Sequence, residues 1–211
     1  MRKLADIIRE NSLSLALFAL FGICTAGAIW AGWLQQNDTL AAHHRGGVTL
    51  AAYLGSGSFI EGLAVNWQAA VLQLASLVVF SSFLYQRGSP HSRDPRRKQR
   101  RRRRVNSLRS WLARNSMFAA FLVLFVVTFA IHATSGFFAE TSRRALAGLP
   151  AVNAGDYLVS SRFWWENFQT WQAEYLVIAL YLVLSIFLRQ EDSAESKPAG
   201  APNSETGKHN E

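Results

Sequence analysis

His132 and Glu174 are the two side chains whose placement suggests chemistry: each is an ionisable group inside a long apolar stretch, residues 116–138 and 171–188 respectively. An imidazole and a carboxylate at similar depth can exchange a proton or share a ligand, and ionisable groups within membrane spans are functional suspects by default. They form the candidate functional pair. His43 and His44 make a poorer metal site, because adjacent residues rarely point at one ion and the chain has Ala147 and Gly148 at the matching positions 104 residues later. Cys24 is the only cysteine, so no intramolecular disulfide forms, and its place in the middle of an apolar stretch suits packing. No Ser-His-Asp order, zinc spacing, phosphate loop or dinucleotide glycine pattern occurs. The sequence thus implies no catalytic residue, no metal, no cofactor, and a protein that is not an enzyme.

The elements that would hold such a pair are membrane spans. Residues 12–34, 67–85, 116–138 and 171–188 contain no Lys or Arg, and Glu174 is their one acid. At about 1.5 Å per residue each covers about 27 to 35 Å, close to the ~30 Å hydrocarbon core of a bilayer. These stretches are apolar almost all round, whereas a helix of a soluble bundle keeps a polar face. The first follows Arg2 and Lys3 in the manner of a signal peptide, but a closely similar stretch recurs in mid-chain, so it is expected to remain as a span.

Orientation follows from basic residues. The segments 1–11, 86–115 and 189–211 carry 18 Lys and Arg, against 4 in the segments 35–66 and 139–170. Both termini and the middle loop are therefore expected in the cytoplasm, and the two long loops outside. Trp30, Trp33, Trp67, Trp164, Trp165 and Trp171 all fall at the outer ends of the spans, where an indole buries its ring and hydrogen-bonds at the headgroups. They read as interface anchors.

The chain is internally duplicated. Residues 1–93 and 105–197 align without a gap at an offset of 104, with 26 identical pairs where chance gives about one in twelve positions. Among the pairs are Gly32 and Gly136, Tyr53 and Tyr157, Phe59 and Phe163, and Trp67 and Trp171. Each copy opens with an amphipathic stretch, Leu4, Ile7 and Ile8 in the first and Leu108, Trp111 and Leu112 in the second, suited to the inner membrane surface. Each outer loop runs from a tyrosine-bearing turn into a helix expected to begin near Ser58 or Ser161.

Between the copies lies a basic cluster, Arg96, Arg97, Lys98, Arg100, Arg101, Arg102, Arg103 and Arg104. It lacks the aromatic residues that stack on bases and sits between two spans, so anionic lipid headgroups rather than nucleic acid are its expected partner.

Particular residues also carry a family likeness. Glu10-Asn-Ser-Leu-Ser-Leu, Ala52-Tyr-Leu-Gly-Ser-Gly-Ser-Phe, Asn66-Trp, Leu84-Tyr-Gln-Arg-Gly-Ser and Ser193-Ala-Glu-Ser-Lys-Pro resemble a family of small bacterial four-span membrane proteins of unknown function (DUF6766 type). The likeness covers about residues 9–198 and implies no activity, ligand or catalytic residue.

The expected fold is an all-α integral membrane protein with four transmembrane helices, arranged as two tandem parallel two-span repeats with extracytoplasmic helical loops and short amphipathic inner-surface helices. Repeat 1 is residues 1–93, a basic cytoplasmic linker 94–104, repeat 2 residues 105–189, and a disordered cytoplasmic tail 190–211. The two outer loops are expected to pack on each other about a pseudo-twofold axis. The expected protein is non-enzymatic, sits in a bacterial cytoplasmic membrane, and presents an extracytoplasmic aromatic surface to lipid, to a further copy of itself or to another membrane protein. A small oligomeric transporter or channel subunit is the alternative, and a membrane-embedded enzyme a distant third.

Overall fold

The computed structural model describes residues 4–94 and 108–207. The basic cluster, Arg96 to Arg104, lies outside the described residues. Among them the secondary structure is entirely helical: α1 (Leu4–Glu10), α2 (Ser12–Ala42), α3 (Leu50–Leu54), α4 (Gly57–Phe80), α5 (Leu108–Arg114), α6 (Ser116–Leu146), α7 (Ala154–Leu158) and α8 (Ser161–Phe187). Four helices are long and apolar enough to cross a membrane: α2, α4, α6, and α8 taken with α7.

Local chemistry sets the boundaries. Ser56 and Ser160 accept the backbone N–H of Phe59 and Phe163 at 3.3 and 3.2 Å, N-capping α4 and α8. Thr49 and Asn153 do the same for α3 and α7. The helices outrun the apolar stretches: α2 and α6 continue eight residues past 34 and 138, because helix formers go on after the hydrophobic run has ended. Helix α4 stops earlier than the expected 85, at Phe80, and a turn follows.

The first four helices and the last four have the same relative bounds, apart from the C-terminal end of α8. Their internal contacts agree as well. Tyr53 packs on Phe59 at 5.2 Å between ring centroids and Tyr157 on Phe163 at 5.4 Å; Phe21 meets Trp67 at 6.3 Å and Phe125 meets Trp171 at 6.5 Å. A Cβ added at Gly32 would overlap the Tyr53 hydroxyl, and one at Gly136 the Tyr157 hydroxyl. Only glycine lets each ring lie against its helix.

Packing between the halves is uneven. The main contact is α4 on α6, the second α4 on α8, while α2 packs chiefly on its neighbours α1 and α3. The short helices α3 and α7 pack mainly on helices of their own halves.

The stretch 190–207, expected to be disordered, is folded onto the turn after α4. Lys197 places its ammonium against the carbonyls of Gly88, Pro202, Asn203 and Glu205 at 2.6 to 3.3 Å. The same turn is built twice: Ser92 Oγ accepts from the Gln86 N–H at 2.7 Å, and Ser196 Oγ from the Gln190 N–H at 2.8 Å. A polar composition signals disorder only where the polar groups lack fixed partners, and here they have them.

Candidate functional site

The N-terminal ends of α4 and α8 and the C-terminal part of α6 meet in a cluster of charges. Glu61 on α4 is buried and accepts two hydrogen bonds from the Arg143 guanidinium on α6, at 3.1 and 3.4 Å. Glu140, one turn earlier on α6, pairs with Arg143, with Arg144 at 2.9 Å and with Arg162 of α8 at 3.4 Å. Arg162 also holds Glu166, one turn along α8, at 3.0 Å. Three carboxylates thus stand among three guanidiniums, a balance that lowers the cost of removing each charge from water.

His132 lies beneath this network and is fully buried, its ring stacked at 22° on Phe163 with centroids 5.2 Å apart. Its hydrogen-bonding state can be worked out from the neighbours. The Asn167 Nδ2 donates to the Phe163 carbonyl at 2.7 Å, which turns Oδ1 toward Gln68. The atom of Gln68 at 2.6 Å from that oxygen must therefore be Nε2, and its second hydrogen points at His132 Nδ1, 2.9 Å away. An amide N–H needs an acceptor, so Nδ1 offers its lone pair and Nε2 carries the ring proton. That Nε2–H faces Glu166 Oε2 at 3.7 Å, too long for a full hydrogen bond and within reach of a small carboxylate rotation.

The acid beside His132 is therefore Glu166, two helical turns before Glu174. Glu174, expected from sequence to stand beside His132, does not meet it in the structure. Glu174 is half-buried, and its backbone carbonyl accepts from Gln73 Nε2 at 2.9 Å, linking α8 to α4.

Glu61, His132 and Glu166 each offer one ligand atom, and these atoms lie within 4.8 Å of one another. The fit to a cation is poor. The imidazole nitrogen turned toward the carboxylates is the one that keeps its proton, and the arginines already balance the acids. The cluster is a hydrogen-bonded tie between helices.

The indole anchors divide. Trp30, Trp67, Trp164 and Trp165 are exposed. Trp33 is half-buried and donates to the Val48 carbonyl at 2.7 Å, while Trp171 is half-buried against Phe125, Trp164 and Phe168. His43 and His44 close the C-terminal end of α2, where His44 adopts a positive φ of 55°.

A family model described as "Domain of unknown function (DUF6766)" matches residues 4–208. The chain belongs to this family. No curated protein and no solved structure matches it. Membership agrees with the resemblance carried by the loop and span residues, and it brings no activity with it.

Glu61, Gln68, Arg143, Arg162, Glu166 and Asn167 are the residues that sequence reasoning missed. One signal was available: in the segments 35–66 and 139–170, where basic side chains are otherwise scarce, charged residues follow an apolar run and recur three and four residues apart, as in Glu140, Arg143 and Arg144.

Proposed function

We propose that the chain is a non-enzymatic bacterial cytoplasmic-membrane protein of two parallel two-span repeats, with both termini in the cytoplasm and an outer aromatic surface that contacts lipid or a protein partner. One observation carries this reading: the charged cluster ties α4, α6 and α8 together from within, while Trp30, Trp67, Trp164 and Trp165 stay on the outside. In the cluster the carboxylates face guanidiniums and Gln68 holds the imidazole, an arrangement suited to rigidity rather than to attack on a substrate.

Two measurements test it. Cysteines at Asp38 and Ser142, both exposed, should react with an impermeant thiol reagent in intact cells, and one at exposed Arg87 should not. Labelling at Arg87 in sealed cells inverts the orientation. In vesicles of brominated phospholipid, indole fluorescence should be quenched, and Trp30→Phe should remove a larger part of that quenching than Trp171→Phe. Equal contributions would remove the argument for an outer aromatic surface.

Transport is the second reading, favoured by a cleft of about 250 Å³ between α4 and α8 into which Gln73, Ser76 and Tyr175 project. The Ser76 and Tyr175 hydroxyls stand 2.8 Å apart across it. Uptake of a small solute by proteoliposomes, lost on Ser76→Leu, would replace the first reading by this one.

A further inference from the structure

The halves share an internal fold, but only one of the two contacts that this likeness calls for is made within the chain. Helix α4 buries a stripe at Glu61, Ala64, Gln68 and Ala75, and α6 buries His132, Ser135, Gly136 and Ala139. Bonds and close approaches show that these faces meet. Glu61 binds Arg143, Gln68 binds His132, and a Cβ on Gly57 would stand 2.7 Å from the Ser135 carbonyl oxygen and 2.8 Å from the Ala139 nitrogen. Shifting each residue by 104 gives the matching pair, α8 and α2.

Those two helices form no extended contact with each other, and neither has a buried residue in its most apolar stretch. On α8 the counterpart stripe is Trp165, Phe168, Gln172 and Ala179, with Trp165 67% and Phe168 57% exposed. On α2 it is Ala28, Ala31, Gly32 and Gln35, of which only Gly32 is half-covered, by its own Tyr53. A membrane helix can face lipid at no cost where it is apolar, so exposure alone decides nothing. Gln172 is different: its amide lies on the open face of a span, where it reaches only the Gln169 carbonyl of its own helix at 3.2 Å, whereas its counterpart Gln68 is fully buried and bonded to two other helices.

A heterologous contact that does not close on itself is completed by another subunit. Resting on the two-repeat reading above, we propose that α2 of one copy packs on α8 of a second copy, and reciprocally, forming a closed dimer whose new contacts repeat and continue the α4–α6 interface around the assembly. Ser161 stands where Gly57 allows the closest approach, so α2 and α8 lie slightly further apart than α4 and α6. Partner and surface are thereby specified: a second copy of this chain, seated on Trp165, Phe168, Gln172 and Ala179.

The test uses the full chain with Cys24→Ser. Versions carrying only Gln35→Cys or only Ser161→Cys, with different tags, are co-expressed and oxidised in the membrane. At their counterparts, a Cβ on Gly57 would stand 2.8 Å from the backbone nitrogen of Ala139, so the two backbones are adjacent there. A linked species bearing both tags is expected, and light scattering in mild detergent should give twice the chain mass. Ala179→Trp should weaken dimerisation by about tenfold or more while leaving helicity unchanged. A single-chain mass, no mixed-tag product, or a link formed only within one chain when both cysteines share it would overturn the proposal. None of these results bears on labelling at Asp38 and Arg87, so a failure here is distinguishable from a failure of the topology.

Discussion

Gln68 donates from Nε2 to Nδ1 of His132 across 2.9 Å, and in doing so decides which imidazole nitrogen keeps its proton. Both hydrogens of the amide are used, the other on Asn167. Gln68→Leu would leave the His132 and Asn167 acceptors buried and unpaired, at a cost of roughly 1 to 3 kcal/mol each. The melting temperature in detergent should therefore fall by several degrees. Gln172→Leu, whose amide reaches only the Gln169 carbonyl of its own helix, strands no partner on another helix and should move it less, and an equal drop for both would contradict the assignment.

Glu61 and Arg143 form the bidentate tie between α4 and α6. Glu61 is nearly enclosed, but Arg143 keeps about a third of its side chain exposed, so solvent screens the pair. Arg143→Met should cost about 2 kcal/mol, between the surface and buried extremes. The double change Glu61→Gln, Arg143→Met should recover much of that loss, because it removes the stranded carboxylate. Additive losses in a double-mutant cycle would mean the two residues act separately.

Gly136→Ala would drive a methyl group into the Tyr157 hydroxyl, with a Glu61 carboxylate oxygen 2.9 Å away. Overpacking of this kind costs about 1 to 3 kcal/mol. Gly32→Ala meets only Tyr53, so Tyr53→Phe should rescue it well, whereas Tyr157→Phe should rescue Gly136→Ala in part. Thermal stability of the four variants and the two combinations measures this. Full rescue in the second half would show that Glu61 moves aside.

Trp67 and Trp171 stand at matching positions with different neighbours. Trp67 is exposed and touches Phe21; Trp171 is half-buried among three aromatic rings. Trp171→Ala should cost about 2 to 3 kcal/mol and Trp67→Ala about 1. Detergent melting curves compare them directly, and a larger loss for Trp67 would reverse the ranking of the two environments.

The spans, the outer helix starts and the family were legible because each rests on a local property: an apolar run, a capping serine, a string of loop residues. The starts expected near Ser58 and Ser161 appear at Gly57 and Ser161. His132 was legible as a suspect for the same reason, since a lone ionisable group in an apolar run is visible without a fold. Its partners were not, because Gln68, 64 residues away, and Glu166 become neighbours only when α4, α6 and α8 converge. Glu174 drew attention by lying inside the apolar run, while Glu166 lay just outside it. The tail at 190–207 misled by composition: Lys197 looks solvated in sequence, yet finds four carbonyls supplied in part by a turn 109 residues earlier.

The charged tie also constrains how the chain is made. Glu61 and Gln68 are synthesised 82 and 64 residues before Arg143 and His132, and Gln68 precedes Asn167 by 99. At about 5 to 20 residues per second, the first hairpin waits on the order of 3 to 20 s with its carboxylate and amide unmatched. Such groups would oppose insertion in mid-bilayer, but near the headgroups they can stay wet until the second hairpin arrives. In a chain inserted hairpin by hairpin, a tie of this kind is threaded at lowest cost at the membrane boundary, where each half can stay wet until the other exists.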